Sequence, residues 1–177
     1  MVAFLHLMHT LVLHTGTNIE NRFANLQKAN FNLERIVGKI IKDSPIYETA
    51  AWGNEDQNDF LNQALLLETE FSARRVMHEI LSLEYKMGRN RELKWQPRII
   101  DIDIIFFDQE VIQKKSLTVP HEHMHNRRFV LQPLVDIIPD FVHPSLQKSI
   151  RQLLEDCADP LEVKEWKNTS SVFKKLF

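Results

Sequence analysis

The segment Arg98-Ile-Ile-Asp101-Ile-Asp103-Ile-Ile-Phe-Phe107 constrains this chain more than any other stretch. Ile100, Ile102 and Ile104 alternate with Asp101 and Asp103, which is the period of a β-strand with one buried face. On such a strand the two aspartate Cα atoms lie about 6.6–6.8 Å apart, with both side chains pointing the same way. Two carboxylates among so many apolar residues repel each other and resist desolvation, so they call for cations. Mg²⁺ suits them, because it takes carboxylate oxygens and keeps waters that phosphates can replace. An isolated D-x-D has a competing reading, a solvent-facing strand whose aspartates are simply wet.

The preceding residues favour the first reading. Lys86 to Arg98 holds five basic residues in thirteen positions: Lys86, Arg89, Arg91, Lys94 and Arg98. Guanidinium groups make forked, permanently charged contacts with phosphate oxygens. A basic loop running into a carboxylate pair is therefore what a polyphosphate held through Mg²⁺ requires. Trp95 argues against an ordinary solvated loop. Glycine supplies the complementary exclusion. Only Gly16, Gly38, Gly53 and Gly88 occur in 177 residues, too far apart for G-x-x-x-x-G-K-[ST] or G-x-G-x-x-G. Phosphate must be gripped by side chains rather than by a glycine-lined loop. The net charge of −2 speaks against a sequence-wide grip on DNA or RNA.

The rest of the chain alternates strands and helices. Thr10–His14 reads as a buried strand, with Gly16 in a turn after it. Asn21–Val37 has helical spacing and ends at Gly38. Ile40–Thr49 is β-rich, with Pro45 marking an edge or a bulge. Phe60–Thr69 is a second strand, and Ser72 N-caps a helix that runs to Met87 and stops at Gly88. A hairpin-like turn at Asp108-Gln109 follows the aspartate strand. Asn126–Ile138 and Ser145–Cys157 read as helices, and Leu161–Trp166 as a last short strand. This order predicts one α/β sandwich with helices over a mostly antiparallel sheet.

His121, His123 and His125 lie at i, i+2 and i+4. On a strand they could share a transition metal, but Pro120 and the helical run after Asn126 argue against that. A single His121 meeting a phosphate is the better functional reading. Phe60 with Asn62, and Phe129 after two arginines, could sandwich and read a flat heterocycle if they share a pocket. Cys157 is the only cysteine, so there is no intrachain disulfide, and a reducing, cytoplasmic setting is expected. Residues 1–9 read as a leader that is dispensable if Met8 is the start, residues 10–166 as one domain, and residues 167–177 as a tail. The leader lacks a signal-peptide pattern, and no membrane partner is expected.

These segments, taken in order, resemble the 6-hydroxymethyl-7,8-dihydropterin pyrophosphokinase family. The resemblance runs from about Leu11 to about Leu154. It rests on Thr15-Gly16-Thr17-Asn18, Tyr47-Glu-Thr49, Trp52-Gly53, Asp59-Phe60-Leu61-Asn62, Glu84, Gly88-Arg89, Trp95 and Pro97-Arg98. It continues through Asp101-Ile-Asp103-Ile, Leu117-Thr118-Val-Pro-His121 and Asn126-Arg127 with Phe129. It implies an α+β, ferredoxin-like αβα sandwich and transfer of the diphosphate of ATP to a pterin hydroxymethyl group, with release of AMP. By the same resemblance Asp101 and Asp103 hold two Mg²⁺ ions, and Arg89, Arg91 and Arg98 contact phosphates. His121 and Arg127 face the triphosphate, and Glu84, Trp95, Ile104 and Thr118 line the nucleotide side. Phe60 and Phe129 stack on the pterin, while Asn62 and the backbone of Thr49, Ala50, Ala51 and Trp52 read its edge. The chain departs from the family pattern at Ala50-Ala51, Leu81 and Ser116. The expected partners are ATP and the pterin, with no nucleic acid, and the expected state is a monomer. The alternative is a non-catalytic nucleotide- or RNA-binding module of ferredoxin-like fold.

Overall fold

The computed structural model describes residues 8–51, 57–89 and 97–167. Six strands make one sheet. β1 (His9–Thr17) pairs with β4 (Phe60–Thr69) on one edge and with β5 (Asp101–Phe107) on the other. The free edge of β4 carries β2 (Lys39–Asp43) and then β3 (Tyr47–Thr49), and β8 (Lys164–Glu165) closes the sheet on β3. Every pairing is antiparallel. β6 (Ile112–Lys114) and β7 (Leu117–Val119) form a separate two-stranded ribbon. Asp108 turns the chain at φ 46° after β5, yet β6 pairs with β7 and not with β5, so the expected hairpin at Asp108-Gln109 is absent.

Helices cover both faces of the sheet. α1 (Arg22–Ile36) and α2 (Ala73–Lys86) pack Leu26, Leu33, Val76 and Ile80 against Leu11, Leu13, Ile100, Ile102 and Ile104. α3 (Arg128–Ile137) and α4 (Ile150–Glu155) pack Val130, Leu134 and Ile150 against Val12, Ala64, Ile105 and Phe106. Both helices of the first layer are N-capped, α2 by the expected Ser72 and α1 by Asn21. Asn21 accepts from the Ala24 amide and Ser72 from the Arg75 amide. The result is the expected α+β sandwich. None of the helices among the described residues is long and apolar enough to cross a membrane.

Three readings change. Gly16 lies inside β1, opposite Asn62 and Asp101, and does not form a turn after it. Gly38 does more than stop a helix: a Cβ there would sit 2.1 Å from the Glu68 carbonyl oxygen, so β4 can pass only a glycine. The helix expected over Ser145–Cys157 shrinks to Ile150–Glu155, because Gln147 turns the chain at φ 55°. Ser149 and Gln152 then restart it with a reciprocal capping box.

Candidate active site

α3 covers only part of its sheet face. Beyond its N-terminus the sheet floor lies open, and two neighbouring rows of residues cross it. Asp101, Gly16 and Asn62 make one row, and Asp103 and His14 the next. A β-bulge opposite Val12–Leu13 shifts the phase of β5. The bulge puts Ile105 and Phe106 together under α3, while Asp101 and Asp103 keep facing the open floor.

That floor is the base of a cleft lined by His14, Gly16, Asn62, Asp101, Asp103 and Phe60. Thr49, Ala50, Ala51 and Gln57 form one wall, and Arg98, Arg127 and Phe129 another. Phe60 and Phe129 therefore do share a pocket. A Cβ on Gly16 would come within 3.2 Å of Asn62 Oδ1, so glycine is what lets the carboxamide lie across the floor. Asn62 is 2 % exposed and donates to Thr49 Oγ1 at 2.8 Å.

The two aspartates live in different electrostatic surroundings. Arg98 and Arg89 both donate to Asp101, the latter at 2.5 Å. Burial works against ionisation of Asp101, but the two guanidiniums hold its carboxyl below the usual carboxylate range. Asp103 accepts no hydrogen bond from any described residue. Burial, and then the charge of Asp101, push its carboxyl up to about 7. The pair is thus asymmetric, with Asp101 held toward its ionised form by two guanidiniums and Asp103 pushed toward its protonated form. His14 is 4 % exposed, and its Nε2 lies 3.3 Å from the Phe129 carbonyl oxygen. Burial lowers its pKa to about 4, so it is a neutral imidazole. His121 is likewise held near 4 by burial and then by Arg127, and it senses the charge of Asp101.

Other expected site residues stand elsewhere. Glu84 is 1 % exposed and faces inward, accepting from the Ile102 amide at 2.8 Å and from Arg89. It ties α2 to β5 and holds Arg89 beside Asp101. The Ile104 side chain is buried in the core under α1 and α2. Thr118 is exposed on β7. Trp52, Arg91 and Trp95 lie outside the described residues, as do most of the expected leader and tail. Among the described residues no three His, Cys, Asp or Glu side chains gather as a metal site, and that includes the histidines at 121, 123 and 125. His14 and Gln57 line the cleft without having been singled out in the sequence. For His14 the available signal was its parity with Gly16 on one strand.

Against this geometry the similarities to known proteins are specific. Residues 12–139 match the family described as 7,8-dihydro-6-hydroxymethylpterin-pyrophosphokinase. A 2-amino-4-hydroxy-6-hydroxymethyldihydropteridine pyrophosphokinase of Aquifex aeolicus is 38 % identical over 145 residues, covering 82 % of this chain and 90 % of that protein. The protein of the same name from Haemophilus influenzae is 33 % identical, covering 89 % of this chain and 98 % of that one. Wild-type HPPK-DHPS of Plasmodium falciparum superposes with a TM-score of 0.68 at 18 % identity, over 85 % of this chain and 45 % of the larger one, a likeness of fold. The chain belongs to the 7,8-dihydro-6-hydroxymethylpterin-pyrophosphokinase family, whose members transfer pyrophosphate in folate biosynthesis.

Proposed function

We propose that the cleft binds ATP and 6-hydroxymethyl-7,8-dihydropterin side by side and passes the terminal diphosphate of ATP to the pterin alcohol, releasing AMP. One observation carries this reading: a carboxylate pair, two arginines and two phenylalanines flanking a buried carboxamide line the same cleft. Phe60 and Phe129 take the flat ring between them. The Asn62 carboxamide, held by Thr49, offers a donor and an acceptor to the ring edge. Arg98 and Arg127 face the phosphates from the opposite wall, with His121 beside them.

Asp101 and Asp103 are the residues that would hold Mg²⁺, two ions by the family resemblance. Their oxygen donors fit it, because they leave one strand on one side and Asp103 has no cation bonded to it among the described residues. Bound there, Mg²⁺ would neutralise phosphate charge and leave the β-phosphorus open to attack. The chain's own part is positional. Arg89 and Arg98 neutralise Asp101 in the ligand-free protein and turn to the phosphates when these arrive. The pterin hydroxyl gives its proton to water, its oxygen bonds to the β-phosphorus, and the bond from that phosphorus to the α–β bridging oxygen breaks, its electron pair leaving on AMP. No nucleophilic side chain is needed, since in-line placement and charge neutralisation suffice.

A non-catalytic RNA-binding sheet would present aromatics on a basic surface. Here the open sheet face carries two aspartates instead. The test is AMP release in the presence of the pterin, ATP and Mg²⁺. Asp101→Ala and Asp103→Ala should abolish it, and near-normal turnover in either would sink the metal assignment.

A further inference from the structure

Two residues of opposite character, Arg127 and Phe129, enter the cleft from the start of α3 with one residue between them. Arg127 precedes the helix in extended backbone, at φ −127° and ψ 104°, where side chains two apart can share one side. If both flanking side chains are to face the cleft, the residue between them must be fixed on the outside. Arg128 is that residue, and it is fixed from a distant part of the chain. Its backbone amide donates to Asp159 Oδ2 at 3.0 Å. Its Nε donates to the Asp159 carbonyl and its Nη2 to the Cys157 carbonyl, each at 3.0 Å.

Asp159 is itself held rigidly. It is 9 % exposed, and its second carboxylate oxygen accepts from the Leu161 amide at 3.1 Å. Arg127, the residue before α3, offers no side-chain cap. The Asp159 carboxylate therefore satisfies the first helical amide from 31 residues away, with its charge at the favourable end of the helix dipole. Farther along, β8 pairs with Tyr47 and Glu48, and the Trp166 amide donates to the Ile46 carbonyl at 2.8 Å. One segment, 157–166, thus braces the strand leading to Thr49 as well as the turn carrying Arg127 and Phe129. It lies outside residues 12–139, over which the family match extends.

We infer that Arg128 and Asp159 form a positioning clamp that sets Arg127 and Phe129 against the two substrates. The clamp rests on the proposed reading of the cleft, in which Phe129 meets the pterin and Arg127 the triphosphate. Released, the start of α3 shifts and both contacts loosen together. A displacement of about 1 Å at a positioning group can lower turnover efficiency by as much as ~100-fold.

The test is steady-state AMP release by the full chain at a temperature where circular dichroism shows every variant folded. Arg128→Ala and Asp159→Ala should each raise KM for the pterin and for ATP roughly tenfold. The double variant should be no worse than the more severe single one, because both remove one unit. Arg128→Lys keeps the charge but not the fork, and should show the same dual KM rise in smaller size. A purely structural role would lower Tm and leave both KM values of the folded protein unchanged, and that result overturns the clamp. Additive effects of the two alanine variants overturn it as well. If the alanine variants do not fold, wild-type KM values in Arg128→Lys overturn it. Wild-type protein without any AMP release would instead overturn the reading of the cleft beneath it.

Discussion

Replacing Asp103 with asparagine should make the metal-free protein more stable and inactive. Asp103 sits half-buried on the cleft floor, one row from the ionised Asp101, with no hydrogen-bonding partner among the described residues. Its pKa rises from the usual carboxylate value of 3.8 to about 7, through burial first and the Asp101 charge second. Because the folded state binds this proton more tightly than the unfolded chain, the contribution to stability is fully present below about pH 4. It is lost as pH climbs through about 7. The full shift corresponds to about 4 kcal/mol, but the open cleft admits water, and screening reduces the expected loss to about 1–2 kcal/mol. Asp103→Asn keeps the shape and removes the ionisation. Thermal unfolding without Mg²⁺ should therefore give the variant a Tm about 2–8 °C above wild type at pH 8, converging with wild type near pH 4. Added Mg²⁺ and ATP should stabilise the wild type and not the variant. A variant less stable than wild type at pH 8, or a difference that does not shrink at low pH, would refute the reasoning.

Other expected outcomes address separate parts of the account. Gly38→Ala should cost about 2–3 kcal/mol, since its Cβ would meet the Glu68 carbonyl at 2.1 Å and backbone cannot swing aside; an unchanged urea midpoint would contradict the close approach. Tyr47→Phe removes the 2.7 Å bond from its hydroxyl to Asp136 Oδ2, which links β3 to α3, and should lower stability by about 1–2 kcal/mol in the same experiment. Phe129→Ala should raise KM for the pterin while leaving KM for ATP near wild type, and equal changes in both would argue against ring stacking there. Arg98→Ala should weaken ATP far more than pterin in equilibrium titrations, because its guanidinium lies on the Asp101 side of the cleft.

Much of this molecule was readable in the sequence wherever local pattern decides structure. The alternation of isoleucine and aspartate gave β5 and the shared direction of both carboxylates, and the apolar run gave β4. Ser72 announced α2 because an N-cap acts on residues three ahead of it. Where pattern and structure diverge, distant contacts are the cause. Glu84 sits on a helix next to a basic loop, so it resembles a surface residue in sequence. Only the packing of α2 on β5 turns it inward to the Ile102 amide. His14 reads as one more residue of a buried strand until the short reach of α3 leaves its row open. Gly38 reads as a helix stop because the approach of β4 cannot be seen from 30 residues away. The dependence of Arg128 on Asp159 leaves no local trace in either segment. The stretch Ser145–Cys157 reads as one helix, yet the structure starts α4 only at Ile150, after the turn at Gln147 and the capping box of Ser149 and Gln152.

The central claim is that this cleft moves a diphosphate as one unit. Mass spectrometry of the products from 6-hydroxymethyl-7,8-dihydropterin, ATP and Mg²⁺ tests it most directly. The account predicts a pterin carrying two phosphoryl groups and an equal amount of AMP, with neither formed by Asp101→Ala. A pterin with one phosphoryl group accompanied by ADP, or nucleotide turnover that does not depend on the pterin, would contradict it.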